Sequence, residues 1–382
     1  MKNMRNTLFL GSALALAACG GEMTDQAGVE TESLATTKAE LKLAPLGQGI
    51  EGQYIVVFKD GVDHATEAMR AGVQPMRSYS IIPGFAAKLN DAQLKALLNN
   101  PNVVLIEQDA IVKADTTQSG ATWGIDRIDQ RSLPLSGTYT YTATASAVTA
   151  YIIDTGIYSS HTQFGGRATN VYDAFGGSGT DCNGHGTHVS GTIGSTTYGV
   201  AKSVKLRGVR VLDCNGSGSN SGVIAGMDYV RLNAVKPAVA NMSLGGSFSS
   251  TVNTAANNLA NSGVFLAVAA GNDASDACSF SPASAASATT VGATTSTDAR
   301  ASYSNTGSCV DIYGPGSSIT STWLSGGTNT ISGTSMASPH VCGVGALYKA
   351  TFGDASSSTV DSWLKSNATT LSFGKFLYKS TL

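Results

Sequence analysis

Three predominantly apolar runs, residues 148–153, 204–212 and 264–270, constrain this chain more than any other feature. Successive side chains of a strand point to opposite faces of a sheet, so an apolar run must be covered on both sides. Helical stretches separate the runs. The pattern therefore predicts an α/β fold, a parallel sheet with helices on both faces. In such sheets the chemistry lies beyond the carboxyl ends of the strands, so the residues that follow each run are the ones to read.

The first run ends in Asp154-Thr155-Gly156. Further on, Asn183-Gly184-His185-Gly186-Thr187-His188 places an imidazole in a glycine-rich approach to a helix, and Gly333-Thr334-Ser335-Met336-Ala337-Ser338-Pro339-His340 opens a very apolar second helix. The third run ends in Gly271-Asn272. A serine hydroxyl is a poor nucleophile until a base takes its proton, and that base needs a third group to fix its tautomer. Asp154, His185 and Ser335 supply those parts in the order Asp…His…Ser. Each has a plainer reading alone: Asp-Thr-Gly as a turn, Ser335 as a helix cap, Asn272 as a turn residue. His188 and His340 read as structural.

The segments around all three residues resemble the signatures of subtilisin-like serine proteases, whose chain order is also Asp…His…Ser. The resemblance runs from about residue 123 to the end of the chain and points to the proteinase K branch, including aqualysin-like bacterial enzymes. It implies a serine endopeptidase with Asp154, His185 and Ser335 as its triad. Asn272 and the Ser335 backbone N–H would stabilise the oxyanion. Gly216, Ser217 and Gly218, with Ser243, Leu244 and Gly245, resemble the two segments that flank an extended substrate. Residues 267–271, ending on Gly271, would line a first specificity pocket that reads as apolar with no fixed charge. Broad specificity with an apolar or aromatic residue before the cut follows. An α/β-hydrolase esterase needs Gly-x-Ser-x-Gly and the order Ser…Asp…His, and this sequence has neither around Ser335. A catalytically silent surface lipoprotein with the same fold is the non-enzyme alternative, against which all four site residues stand.

Ahead of this domain the chain reads in three parts. Residues 1–19 form a signal peptide: Lys2 and Arg5 precede an apolar stretch, residues 8–18, too short to span a bilayer. The stretch ends in Leu16-Ala17-Ala18-Cys19, which resembles a bacterial lipobox, so the precursor is expected at a membrane through Cys19. Residues 20–49 read as a linker. Residues 50–115 form a small α+β unit with strands at 54–58, 79–82, 85–89 and 103–112, and helices at 66–71 and from Asn90 or Asp91 to residue 98. That order, β-α-β-β-α-β, is the ferredoxin-like split pattern. The unit resembles the inhibitor pro-segment of the same family, which implies a precursor that cuts itself near Asp115-Thr116 and frees residues 116–382, a mature monomer secreted by a bacterium. Its partners would be protein and peptide substrates and its own pro-segment. Charged residues make up only 13% of the chain and the net charge is −2, which excludes the basic footprint of a nucleic-acid binder.

Of six cysteines, Cys19 belongs to the signal, which leaves an odd number for the exported part. Two bridges and one free thiol fit the count, and the count alone allows many pairings. The aqualysin-like resemblance implies Cys182–Cys214 and Cys278–Cys309, with Cys342 buried and free. It also implies structural calcium at Asp311, completed by carbonyls near Ala286 and Ala288. Asp126, Asp129 and Gln130 offer oxygen ligands at close spacing, which suits a second hard cation, although surface carboxylates or caps read equally well at both places.

Overall fold

A computed structural model describes residues 38–44, 49–111 and 116–382. The signal segment, Cys19 and most of the junction near Asp115 lie outside these residues. In the amino-terminal unit, β1 (Glu40–Lys42), β2 (Gly49–Phe58), β3 (Arg77–Tyr79), β4 (Gly84–Lys88) and β5 (Val103–Ala110) form one sheet in the order β1-β5-β2-β4-β3. Helices α1 (His64–Arg70) and α2 (Asp91–Leu98) complete the expected order. Val56, Phe58, Phe85, Leu97 and Ile106 make the small core. Helix α2 starts where it does because Asn90 accepts the Gln93 N–H while the Gln93 side chain accepts the Asn90 N–H, a capping box.

Two local expectations change here. Strand β1 falls in the stretch read as linker, where it pairs in parallel with β5. Ile81 and Ile82, expected in a strand, form a turn instead, with Ile81 92% exposed. Pro83 has no N–H to give a ladder. Gly84 lies so close to β2 that a Cβ there would be 2.2 Å from the Val56 carbonyl oxygen, so the chain must turn before it can pair.

The larger domain opens with a ribbon of β6 (Thr116–Ser119) and β7 (Thr138–Tyr141) around α3 (Trp123–Ile128). Its parallel sheet is built from β8 (Thr149–Asp154), β9 (Ala168–Asp173), β10 (Lys205–Arg210), β11 (Ala238–Met242), β13 (Phe265–Ala269), β15 (Thr289–Thr294) and β16 (Ile312–Pro315). They run in the order β16-β15-β13-β11-β8-β10-β9. Strand β20 (Gly374–Phe376) extends the β16 edge in parallel, and β19 (Thr369–Leu371) closes it antiparallel. Two ribbons lie outside this sheet: β12 (Gly246–Ser247) with β14 (Phe280–Ser281), and β17 (Ile319–Thr322) with β18 (Thr328–Ile331).

The apolar runs are buried on both faces. Ala150 and Ile152 of β8, with Phe265 and Ala267 of β13, face one core beneath α4 (His185–Gly194) and α7 (Thr334–Phe352). Tyr151, Ile153, Leu266 and Val268 face the other core beneath α5 (Asn220–Asn233) and α6 (Ser250–Asn261). A final helix, α8 (Ser357–Asn367), packs Val360 and Leu364 on the first side. Cys182 is bonded to Cys214 and Cys278 to Cys309, while Cys342 is a buried free thiol. Burial pushes that thiol's pKa well above its usual value.

Candidate active site

Strand β8 ends on Asp154, whose side chain is completely buried. Its Oδ1 accepts the Thr155 N–H at 2.7 Å and meets His185 Nδ1 at 2.8 Å. That contact assigns the proton to Nδ1 and leaves Nε2 as the acceptor. His185 begins α4 behind Gly184, whose φ is +107° and whose Cβ would sit 2.4 Å from the Trp323 ring. Only glycine fits there.

Asp181, which the motif reading passed over, organises this loop. It accepts from Thr155 Oγ1, Asn183 N–H, Gly184 N–H, Thr187 N–H and Thr187 Oγ1, all within 2.9 Å. Burial works against an imidazolium at His185, but the Asp154 charge and hydrogen bond, with the Asp181 charge, outweigh it and hold the pKa above the usual histidine value. His188 and His340 differ: burial lowers both to about 4, so they are neutral packing groups, as expected.

Ser335 is the second residue of α7, where backbone N–H groups lack helical partners. Its Oγ donates to the Ser243 carbonyl at 3.1 Å, and the Ser243 hydroxyl donates back to the Ser335 carbonyl at 2.7 Å. Pro339 explains the second bond. It stands where the N–H partner of the Ser335 carbonyl would be and cannot donate, so that carbonyl is open to Ser243. Among the described residues, then, Asp154 is joined to His185 directly, while Ser335 faces Ser243 at rest. Apo geometry of this kind is common in sites whose hydrogen bonds tighten only with substrate.

Asn272 follows β13. Its Oδ1 accepts from the Thr334 N–H and hydroxyl, at 2.8 and 3.0 Å, and Asn272 lines one pocket together with Ser335. The turn is held by Asn305, a residue no motif marked. Its Nδ2 donates to the Ala270 carbonyl, and its Oδ1 accepts the Asp273 and Ser275 N–H groups. Gly271 has φ +101°, and a Cβ there would lie 2.4 Å from Asn305.

Leu244, Gly245 and Gly246 line two adjoining pockets. One, of 490 Å³, holds His185, Gly216, Ser217, Gly218 and Ser243; the other, of 330 Å³, holds Gly271, Asn272 and Ser335. The second is walled by Ala269, Ala270, Phe280 and Ala283, and it also includes Asp273. That carboxylate corrects the expectation of a pocket with no fixed charge; Asp273 is exposed at the rim, where the turn after β13 carries it. The Cys182–Cys214 bridge ties the histidine loop to the segment bearing Gly216–Gly218, and Asn183 Nδ2 adds a bond to the Cys214 carbonyl.

Residues 145–379 match the model of the Subtilase family, and residues 53–115 match that of Peptidase inhibitor I9. The chain belongs to the subtilase family. Among its relatives, an extracellular serine proteinase of Thermus sp. (strain Rt41A) is 52% identical, over 87% of this chain and 89% of that one. Alkaline serine exoprotease A of Vibrio alginolyticus is 48% identical, over 91% of this chain and 70% of its own. Proteinase T of Parengyodontium album reaches 59% over 64% of this chain and 85% of its own. A crystal structure of a cold adapted subtilisin-like serine proteinase aligns with TM-score 0.68 at 50% identity, covering 69% of this chain and all of that one. This subtilase thus carries its peptidase domain and an inhibitor-type amino-terminal unit in one chain.

The expected calcium residues do not fit the ion as they stand. Asp126 accepts the Ser136 N–H and hydroxyl and the Gly137 N–H; Gln130 Oε1 accepts the same Ser136 N–H, and Asp129 accepts that of Thr140. These side chains cap the loop at 136–140, Asp126 with both oxygens and Asp129 and Gln130 with one each. Asp311 accepts the Thr290 N–H on one oxygen and the Lys365 ammonium on the other, at 2.8 and 2.6 Å. Among the described residues no three His, Cys, Asp or Glu side chains gather as for a metal.

Proposed function

We propose that this chain is an exported bacterial serine endopeptidase in which Ser335 attacks the scissile carbonyl, His185 takes and returns the proton, and Asp154 orients His185. The 2.8 Å Asp154–His185 contact, in a pocket adjoining the one lined by Ser335 and Asn272, is the observation that carries the reading. Substrate enters as an extended strand between residues 216–218 and 243–245, held by main-chain hydrogen bonds that tolerate many sequences. As the peptide approaches, Ser335 Oγ leaves the Ser243 carbonyl and gives its proton to His185 Nε2 while its oxygen bonds to the carbonyl carbon. The Asn272 amide and the Ser335 N–H receive the oxyanion. Collapse breaks the C–N bond, His185 protonates the amine, and water repeats the sequence on the acyl-enzyme. The walls of Ala269, Ala270, Phe280 and Ala283 favour an apolar or aromatic residue before the cut. No step passes through calcium.

Residues 50–115 act in this reading as folding aid and inhibitor, and the same Ser335 makes the first, intramolecular cut near Asp115-Thr116, where proximity favours it. If Cys19 carries the lipid, anchor and inhibitor lie on the same side of that cut, so maturation releases a soluble monomeric catalytic domain. Purified wild type should mature and hydrolyse casein, and Ser335→Ala should remain a full-length, inactive precursor. Maturation of isolated Ser335→Ala would overturn the assignment.

A further inference from the structure

Beside β15 and β16, a charged cluster does something the family resemblance does not imply. Asp311 precedes β16, and Asp361 and Lys365 stand four residues apart on α8, on one face of the helix. The Lys365 ammonium lies 2.6 Å from Asp311 Oδ1 and 2.8 Å from Asp361 Oδ2. Each carboxylate is tied to the sheet by its remaining oxygen: Asp311 Oδ2 accepts the Thr290 N–H, and Asp361 Oδ1 accepts the Thr289 hydroxyl, both at 2.8 Å. Ala286 and Ala288 line the same 220 Å³ pocket. Asp311, Ala286 and Ala288 therefore share one pocket with a second carboxylate, Asp361, and with the Lys365 ammonium.

We propose that Lys365 is a built-in replacement for the metal: its ammonium takes the place of calcium between Asp311 and Asp361 and pins α8 to β15 and β16. An ammonium and a calcium ion compete for the same lone pairs. Calcium needs about six to eight oxygens at about 2.3–2.6 Å, which Asp311 cannot join while its free oxygen is held by Lys365. An entering ion would also have to displace a like charge that is tethered to the site and so never diluted away. The family's loop is thereby stabilised without dependence on dissolved calcium.

Equilibrium dialysis with radiolabelled calcium tests this on the full-length chain carrying Ser335→Ala, which prevents self-digestion. Four versions are compared: that background, and the same chain with Asp311→Asn, Lys365→Met, or both changes. The background and Asp311→Asn should bind the same number of calcium ions. Lys365→Met should bind one more and gain melting temperature from added calcium beyond any gain of the background; adding Asp311→Asn should remove both effects. One fewer ion in Asp311→Asn than in the background would overturn the proposal, because Lys365 would then be yielding to calcium. So would a Lys365→Met chain that folds and binds no additional ion. Should Lys365→Met fail to fold, the Asp311→Asn comparison, which keeps the lysine, decides alone.

Discussion

Asp181→Asn is an informative perturbation, because it keeps the shape of the side chain and reverses one half of its chemistry. Three donors, from Thr155, Asn183 and Gly184, converge on Asp181 Oδ1, and an amide oxygen can still receive them. The other two, the Thr187 N–H and hydroxyl, meet Oδ2, where the amide of asparagine presents hydrogens. Flipping the amide only transfers the conflict to the three. Leaving two buried donors unmet costs about 1–3 kcal/mol each. The expected loss is therefore about 2–6 kcal/mol, or roughly 10 °C in Tm for a domain of this size at about 2–4 °C per kcal/mol. A second effect separates this from plain destabilisation. The Asp181 charge helps hold the His185 pKa above its ordinary value, and His185 must be neutral to act as base. Activity therefore rises as pH climbs through that pKa, and removing the charge should move the acid limb of kcat/KM to lower pH. Melting curves, with kcat/KM on a chromogenic peptide across pH 5–9 (about two units either side of the imidazole range), measure both. A Tm within experimental error of wild type, with an unmoved acid limb, would refute the reasoning.

Asn272→Ala should lower kcat by about 10²–10³ with little change in KM, since the lost donor serves the transition state; an equal rise in KM would place Asn272 in ground-state binding instead. Replacing Cys182 and Cys214 together by serine should cost about 3–4 kcal/mol on the chain-entropy account, read as a fall in the urea midpoint. Burial lowers the pKa of His188 and His340 to about 4, so the native state prefers both neutral. Their contribution is complete above the unfolded value of about 6.5 and is lost as pH falls from there toward 4, by up to about 3 kcal/mol each. The melting temperature of the Ser335→Ala chain should drop steadily across that window, and a flat profile would count against it. In cell fractions, Ser335→Ala should stay with the membrane while mature wild-type activity and Cys19→Ser appear soluble; a membrane-bound mature enzyme would rule out release by self-cleavage.

The parts of this molecule that were legible in the sequence are those whose physics is local. An apolar run buried on two faces announces itself, and Gly184 or Gly271 marks a turn that no side chain can occupy. Both cysteine pairs are present as the resemblance implied. What stayed hidden depends on partners distant in sequence. Asp181 and Asn305 look like ordinary loop residues until the fold brings five donors to one and a turn from residues 270–275 to the other. Ile81 and Ile82 read as strand from their side chains alone, because the carbonyl of Val56 that crowds Gly84 lies elsewhere in the chain. Likewise the Asp311–Lys365 contact joins residues 54 apart, so no local pattern announces it.

The Ser243–Ser335 pair shows how the resting site reconciles stability with reactivity. A nucleophile at the start of a buried helix needs its backbone fixed and its hydroxyl free, and these demands conflict where every polar group must be paired. Pro339 resolves the conflict by withholding one helical N–H, which leaves the Ser335 carbonyl to the Ser243 hydroxyl. The backbone at Ser335 is thus tied to the segment carrying Ser243, while Ser335 Oγ parks on the Ser243 carbonyl, at 3.1 Å the longer of the two bonds. In the proposed function that carbonyl belongs to the segment against which the peptide lies. An incoming substrate strand competes for the acceptor that holds Oγ, so binding itself would turn the hydroxyl toward His185. The link between occupancy and activation follows from one proline and two hydroxyls.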